Sequence, residues 1–495
     1  MFDISTWFFI SSGLFLGWSL GANNAVTLFG TAVSSKMVRF RVAALVGGVF
    51  VLLGAVFSGA GTTNTITSLG GIDAIAGSFT VALAVALSVT WMTRAQLPVS
   101  TSQAVVGAII GWNVFTGSPT DLAALSKIVS TWLVSPLIAG AFGFVIFKLI
   151  KRTVLTWRIH MLSLDNYTRI ALIVVGALAA YSLGANNIAN VMGMFVAAAP
   201  FGDTVLTEPF ALSGSTLLFV LGGLSIALGI GTYGHKVMET VGKDLFKISP
   251  ITGFAVVLAE FIVLLLFTSQ ELETLLLTLG LPTIPLVPLA ATQSFVGAVI
   301  GVGLAKDPQS VDFKVFGRIS LAWVIAPVAA GLLSFVMLYF VQNVFEQKVI
   351  DPRAYQLSPS VMQRLADDRV DTTALADLSA TRFTNAKSFK NALLARGDFA
   401  NRDLNLIYRY AVVDSFRIDA RKIALLDTLT YADTVLAVIR RNNGRTFAHK
   451  IDFDAILFSD SMQWRMTGDK LRDKDVIFRK TQLEELMRVR TTQAR

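Results

Sequence analysis

Two amide pairs carry the first sign of chemistry in this chain. Asn23-Asn24 follow Ser19-Leu20-Gly21-Ala22 inside one apolar stretch, and Asn186-Asn187 follow Ser182-Leu183-Gly184-Ala185 inside another, much later in the chain. An amide offers a carbonyl oxygen to a cation and N–H donors to an anion. Beside a glycine, in a segment apolar enough to lie in a bilayer, such groups are costly unless they line a cavity or coordinate something. The pattern predicts helix breaks at 21–24 and 184–187. Paired breaks of this kind point to a binding site between two halves of a transporter.

A second polar group also occurs twice. Pro98-Val99-Ser100-Thr101-Ser102-Gln103 leads into AVVGAIIGW, and Pro288-Leu289-Ala290-Ala291-Thr292-Gln293 leads into SFVGAVIGVG. Hydroxyls and free backbone N–H groups at the start of such a helix form an oxyanion cradle, strengthened by the helix field. The second copy keeps only Thr292 and Gln293, so the two halves contribute unequally. No buried Arg or Lys suggests itself as a partner; Arg94, at the membrane edge near the first cradle, reads as a snorkelling or topology-setting residue. His160, His235 and His449 fall in loops or tail, have no metal-ligand partner and read as solvated. The absence of cysteine excludes disulfides and thiolate metal sites. No catalytic triad, metal cluster or phosphate loop is present in the apolar part, so no enzyme activity, resident metal or cofactor is expected.

These groups need long apolar helices to place them, and the composition supplies such helices. Of 495 residues 54% are hydrophobic and 15% charged, whereas about 25% charge is usual in soluble domains. Mean hydropathy is +0.63. Charge is concentrated late, with 26 Lys/Arg and 20 Asp/Glu in residues 346–495. The chain therefore reads as an all-α polytopic membrane protein with a C-terminal soluble tail. Its net charge of +9 lies in loops and tail rather than in a stripe that would hold nucleic acid. The N-terminus lacks a basic region and a cleavage site, and reads as the start of the first span.

Apolar runs at 5–35, 42–60, 78–93 and 128–147 are followed by a second set at 170–198, 211–231, 253–268 and 317–342. A connector rich in glycine and threonine occupies 59–71. Three landmarks recur in order: the amide pair, the hydroxyl-led helix, and a Trp/Pro pair, Trp132 and Pro136 matching Trp323 and Pro327. The second copy is longer, because more chain separates Asn186 from Gln293 than Asn23 from Gln103. The positive-inside bias puts the basic stretches 36–41, 148–169 and 235–247 in the cytoplasm. It puts 61–77, 117–126, 200–210 (with Asp203 and Glu208) and 271–281 outside. The first copy then begins outside and the second inside. The expected organisation is two inverted-topology repeats with broken helices and re-entrant or half-helix segments. Repeat 1 covers 1–150, a basic linker 151–169, repeat 2 170–345 and the soluble domain 346–495. The same count carries the tail outside if 282–304 crosses once. Leu378, Phe383, Phe389, Leu394, Phe399 and Leu404 recur at roughly five-residue spacing, as in a coil of stacked turns, but one six-residue step spoils the period, and an ordinary mixed cytoplasmic domain is the preferred reading.

Over about residues 5–345 these motifs resemble the inorganic phosphate transporter family, sodium- or proton-coupled phosphate symporters. The resemblance rests on the paired Gly-Ala-Asn segments, Thr31–Lys36, the two hydroxyl-led helices continuing into Val-Gly-Ala, and Gly234–Lys243 with its Glu239–Lys243 motif. It implies a twofold pseudosymmetric bundle with phosphate near the middle. The residues expected to hold it are Asn23, Asn186, Ser100, Thr101, Ser102 and Thr292, with Gln103 and Gln293 standing where the family often has His. Asn24 and Asn187 replace the family's usual Asp. Val51 stands for a Glu of the second span, and Val257 for its counterpart, leaving Glu260 one turn on. Asn can ligate Na⁺ but cannot carry a proton at neutral pH, so Asn24, Asn187 and Glu260 are expected at a coupling ion, and Na⁺ is the ion expected. The function implied is secondary active phosphate transport by cation symport, in a multi-pass protein of the plasma (inner) membrane. Its partners would be phosphate, the cation, membrane lipid and, as a homodimer, a second copy. Carriage of another oxyanion such as sulfate, or a non-transporting phosphate-binding regulator, is the alternative. A channel would need a continuous polar lining, which the sequence lacks.

Overall fold

The protein, seen in a computed structural model, is described over residues 4–95, 99–157, 160–198, 201, 204–207, 210–212, 214–238, 249–308, 313–351, 353–379, 381–397, 399–425, 431–458, 462–467 and 470–488. Pro98, Arg158, Asp203, Glu208, Lys247 and the Glu239–Lys243 motif lie outside these residues. Residues 1–115, 120–273 and 283–351 form one compact unit, and 116–119, 274–282 and 352–495 another.

The first unit is built from long apolar helices, the economical way to satisfy backbone N–H and C=O groups in a bilayer. In order these are α1 (Ile4–Ser34), α2 (Phe40–Ser58), α3 (Ala60–Leu69), α4 (Ile75–Arg94), α5 (Thr101–Thr116) and α6 (Leu122–Trp157). Then come α7 (Met161–Val196), an antiparallel pair β1 (Thr204–Thr207) and β2 (Phe210–Leu212), and α8 (Gly214–Thr232). The set ends with α9 (Pro250–Thr268), α10 (Gln270–Thr278), α11 (Ala291–Lys306) and α12 (Phe313–Asn343). Among the described residues eight helices are long and apolar enough to cross a membrane: α1, α2, α4, α6, α7, α8, α9 and α12. Helices α5 and α11 have 16 residues each, about 24 Å, too short for a hydrocarbon core of about 30 Å.

The two halves make matching contacts. Gly21 of α1 lies against the Ile226 carbonyl of α8, and Gly184 of α7 against the Val51 carbonyl of α2. Gly107 of α5 meets the Pro327 carbonyl of α12, just as Gly297 of α11 meets the Pro136 carbonyl of α6. A Cβ at any of the four would collide with the facing oxygen, and small residues of this kind let membrane helices touch backbone to backbone. Each short helix therefore packs on the last span of the other half, not of its own. Helices α1 and α7 run antiparallel, since Gly13 faces Phe195 while Gly176 faces Phe29.

Several expectations change. Residues 21–24 and 184–187 are helical, within the uninterrupted α1 and α7. Their glycines admit a neighbouring backbone rather than break a helix, and their amides find tertiary partners instead of caps. The interruptions lie opposite them, ahead of α5 and in the extended stretch 281–290 ahead of α11. The connector 59–71 is mostly helix, because Gly59 keeps α-helical dihedrals (φ −77°, ψ −19°) and α3 starts directly after it. The basic stretch 151–169 consists largely of the ends of α6 and α7, not a linker. The contact that pairs Val51 with Gly184 is made for Gly21 by Ile226, so Ile226 rather than Val257 is the structural counterpart of Val51.

The second unit has two apolar cores and short elements: β3 (Tyr355–Gln356), α13 (Pro359–Asp367), β4 (Arg382–Phe383), α14 (Ala386–Leu394), α15 (Asn401–Ala411), β5 (Phe416–Arg417), α16 (Asp433–Arg441), β6 (Thr446–Phe447), α17 (Lys450–Leu457) and α18 (Lys470–Met487). The design is used twice. Tyr355 pairs with Phe383 and stacks on Phe389 at 5.0 Å; Phe416 pairs with Phe447 and stacks on Phe453 at 4.8 Å. The apolar recurrence over 378–404 belongs to this packing and not to stacked turns, since Leu378 lies in a 3₁₀ helix, Phe383 in β4 and Phe389 in α14. His449 is buried rather than solvated, with Nδ1 3.2 Å from the Val412 carbonyl oxygen.

Candidate substrate site

Val99, just before α5, and Leu289, just before α11, are fully buried and fix the site. The Val99 carbonyl accepts from Asn23 Nδ2 and from the Thr292 hydroxyl, both at 3.2 Å. The Leu289 carbonyl accepts from Asn186 Nδ2 at 3.0 Å and from the Ser102 hydroxyl at 2.7 Å. In both clusters the amide comes from the same half of the chain and the hydroxyl from the other. Asn186 makes one bond more, its Oδ1 accepting from the Leu289 N–H at 2.7 Å. It therefore grips both backbone groups of one residue, as a strand partner would. Asn23 Oδ1 instead accepts from the Thr93 hydroxyl at 3.3 Å, and Asn23 Nδ2 also donates to Asn24 Oδ1 at 3.1 Å.

These bonds bring the starts of α5 and α11 together. The first turn of a helix leaves backbone N–H groups without intrahelical partners. Ser100 caps α5, its hydroxyl accepting from Gln103 N–H at 3.4 Å. Ala290 precedes α11 and offers no side-chain cap. Two helix fields of about half a positive charge each converge, while no Lys or Arg is buried among the described residues.

All eleven residues nominated from sequence are buried: Asn23, Asn24, Ser100, Thr101, Ser102, Gln103, Asn186, Asn187, Glu260, Thr292 and Gln293. Asn23, Ser102, Asn186 and Thr292 are joined directly through Val99 and Leu289. Ser100, Thr101, Gln103 and Gln293 lie at the starts of the same two helices. Asn187 enters through Asn190, which donates to Asn187 Oδ1 at 3.1 Å and to the Ser102 hydroxyl at 2.8 Å. Glu260 stands apart on α9, beside Thr27 of α1, whose hydroxyl donates to the Asn24 carbonyl at 3.0 Å.

Sequence reasoning missed Asn190, Thr27, Thr93 and Ser294. Asn190 was within reach, being one helical turn past Asn186 and so on its face. The offset that carries Asn186 back to Asn23 then carries Asn190 back to Thr27. Thr93 gave no signal, because only folding brings the end of α4 to Asn23. Thr101 Oγ1, Ser294 Oγ, Asn187 Nδ2, Asn190 Oδ1, both Gln103 and Gln293 Oε1, and both Glu260 oxygens are buried without a hydrogen-bond partner among the described residues.

Comparison with known proteins gives one consistent result. The profile of the phosphate transporter family matches residues 20–334, with a further match over 277–402. A protein of Pyrococcus abyssi, provisionally named a phosphate permease, is 26% identical over 418 residues, covering 68% of this chain and 98% of its own. A similarly named protein of Chlamydia trachomatis serovar D is 24% identical over 440 residues, again with 68% and 98% coverage. The fold is similar to that of a solved sodium-dependent phosphate transporter at a TM-score of 0.55 and 23% identity, covering 68% of this chain and 99% of that one. With its eight apolar spanning helices, this chain is an integral multi-pass membrane protein and belongs to the phosphate transporter family.

Proposed function

We propose that the protein is a secondary active transporter that carries inorganic phosphate, with Na⁺ as the coupling ion, at the junction of α5 and α11. The observation that supports this best is the pair of converging helix starts, each pinned by an amide of its own half and a hydroxyl of the other. Helix starts and hydroxyls suit an oxyanion. Partnerless buried polar atoms are rare in folded proteins, and six of those among the described residues, on Thr101, Gln103, Asn187, Asn190, Gln293 and Ser294, lie at or beside those two helix starts. Thr101 and Ser294 hydroxyls and the Asn187 amide donate to phosphate. Asn23 and Asn186 position the cradle, because their amides are already bound to backbone.

In this reading the membrane part comprises two inverted-topology repeats, supported by the antiparallel α1 and α7 and by the matched glycine contacts, and residues 352–495 form a soluble domain. The hydroxyl bonds of Thr292 to Val99 and of Ser102 to Leu289 join the repeats, whereas the amide bonds lie within each one. A change of access opens the former and keeps the latter, at about 0.5–1.5 kcal/mol for each bond broken. The buried carboxylate of Glu260, with Thr27 and Asn24 beside it, supplies oxygen ligands for the cation. The sodium dependence in the name of the structural neighbour is consistent with that choice. The test is uptake of radiolabelled phosphate by the purified chain in proteoliposomes, with sulfate as competitor. Saturable phosphate uptake that a tenfold excess of sulfate leaves intact is expected. Equal inhibition by sulfate would move the reading to a general oxyanion carrier, and absence of uptake would refute it.

A further inference from the structure

A small hollow of about 10 Å³, room for about one water, lies next to Asn23, lined by Trp18, Ser19 and Ala22 of α1, by Thr90, Thr93 and Arg94 of α4, and by Tyr233. Its inner wall is one hydrogen bond from the site, since the Thr93 hydroxyl donates to Asn23, which in turn holds Val99. At its outer edge Arg94 is exposed and makes no ion pair among the described residues. A second cation is close, with Lys236 Nζ 5.3 Å from the centre of the Tyr233 ring.

The other half carries the opposite charge at the matching place. Val51 and Ile226 occupy equivalent contacts in the two halves. The sequence offset between them also relates Ser78, whose hydroxyl donates to the Met194 carbonyl, to Gly253. Gly253 lies against Thr31, which the offset of the amide pairs makes the equivalent of Met194. The Val51–Ile226 offset therefore relates Arg94 to Ser269. Ser269 donates to the Glu271 carboxylate at 2.9 Å, and Glu271 and Glu273 open α10. One end of the twofold arrangement is basic and its counterpart acidic.

We propose that the Arg94 hollow is a one-sided access path for phosphate, and that Arg94 admits the anion through it. This rests on the phosphate reading above. A cation at the mouth of this hollow, walled in part by Trp18 and Tyr233, raises the local anion concentration and repels cations where the hollow widens to admit the anion. The counterpart beside Ser269 and Glu271 lacks this, so the two faces of the membrane differ in apparent affinity. A cation about 4 Å from a phosphate of one to two negative charges is worth about a 5- to 30-fold change in half-saturating concentration, less at high salt.

The absence of cysteine makes the test direct. Arg94→Cys is made in the full chain and reconstituted, and membrane-impermeant methanethiosulfonates are added from outside or sealed inside. The half-saturating concentration of phosphate presented on the Arg94 face, the cytoplasmic one by the charge bias of 36–41 and 235–247, is expected to rise about 5- to 30-fold, to recover with the trimethylammonium reagent but not the sulfonate, and to respond from that face only. Inorganic phosphate is expected to slow the modification. Equal effects of the two reagents, an unchanged half-saturating concentration, or reaction from both faces would overturn the proposal. So would failure of phosphate to protect, which would mean that Arg94 sits against lipid headgroup phosphates. Arg94→Lys, which retains the charge, is expected to stay within about threefold of the unaltered chain, half a decade on the free-energy scale; a larger loss would argue against a role for charge. If the unaltered chain carries no phosphate, the functional reading fails, and phosphate protection of the thiol still decides whether the hollow takes the anion.

Discussion

Replacing Asn186 with alanine removes both of its bonds to Leu289, one at 3.0 Å to the carbonyl and one at 2.7 Å from the N–H. The carbonyl keeps the Ser102 hydroxyl, but the N–H loses the Asn186 oxygen in a fully buried place. An orphaned buried amide costs about 1–3 kcal/mol, and that cost falls on the segment that starts α11. Coupled fully to phosphate binding, it raises the half-saturating concentration about 5- to 150-fold. Asn23→Ala is milder at the cradle: the Val99 carbonyl keeps the Thr292 hydroxyl, and the bonds also lost to Thr93 and Asn24 do not hold the start of α5, so about 0.5–1.5 kcal/mol, or 2- to 13-fold, is expected on phosphate binding. Asn186→Asp keeps the acceptor for the Leu289 N–H but turns an oxygen toward its carbonyl, and should be no better than alanine. The assay is the initial rate of radiolabelled phosphate uptake across a concentration series in proteoliposomes of equal protein content. An Asn186→Ala variant that saturates at the unaltered concentration, or an Asn23→Ala variant with the larger defect, would refute the reasoning.

Other substitutions probe separate parts of the account. Ser102→Ala should impair uptake more than Ser100→Ala, because Ser102 links Asn190 to Leu289 while Ser100 only caps α5; saturation curves of the two variants rank them. Glu260→Gln should abolish accumulation driven by a sodium gradient yet retain phosphate–phosphate exchange, read as counterflow. Gly297→Val should drive a side chain into the Pro136 carbonyl, cost about 1–3 kcal/mol and lower the melting temperature in detergent, whereas Gly71→Ala, with open space around it, should not. Burial, reinforced by Glu484 and opposed by Lys450 and Lys480, pushes the Asp454 carboxyl up to about 7. A raised carboxyl favours the fold while protonated, so that stabilisation is present below about pH 4 and is lost as pH rises through about 7. Protection factors in α16 and α17, with the intrinsic pH dependence of amide exchange divided out, should therefore be lower at pH 8 than at pH 5.5, and Asp454→Asn should remove that difference.

The spanning helices were legible because long apolar runs in a charge-poor chain have few other uses. The duplicated motifs were legible as well, and the structure gives their reasons: the glycine of each Val-Gly-Ala rests on the proline of a Trp/Pro pair. Which glycine rests on which proline was not legible. Gly107 sits on Pro327 and not on Pro136, and an exchange between halves leaves no trace in spacing along the chain. The amide pairs were found, but their local conformation was misread. Glycine and paired asparagines have low helix propensity in isolation, yet in α1 and α7 packing against Ile226 and Val51 decides the conformation. Glu260 was noticed only as a leftover carboxylate, because its neighbour Thr27 comes from the first helix of the chain, far from α9 in sequence. The paired design in residues 352–495 was present as Phe383, Phe389, Leu393 and again as Phe447, Phe453, Leu457. A search for short periods hid it, since the repeat is as long as the stretch from Phe383 to Phe447.

The most direct test of the central claim imposes one gradient at a time on proteoliposomes containing the full chain. An inward sodium gradient without a pH difference should drive phosphate accumulation above equilibrium, and a pH difference without sodium should not. Accumulation driven by the pH difference alone would contradict sodium coupling and make Glu260 the proton carrier; absence of accumulation under both would contradict secondary active transport itself.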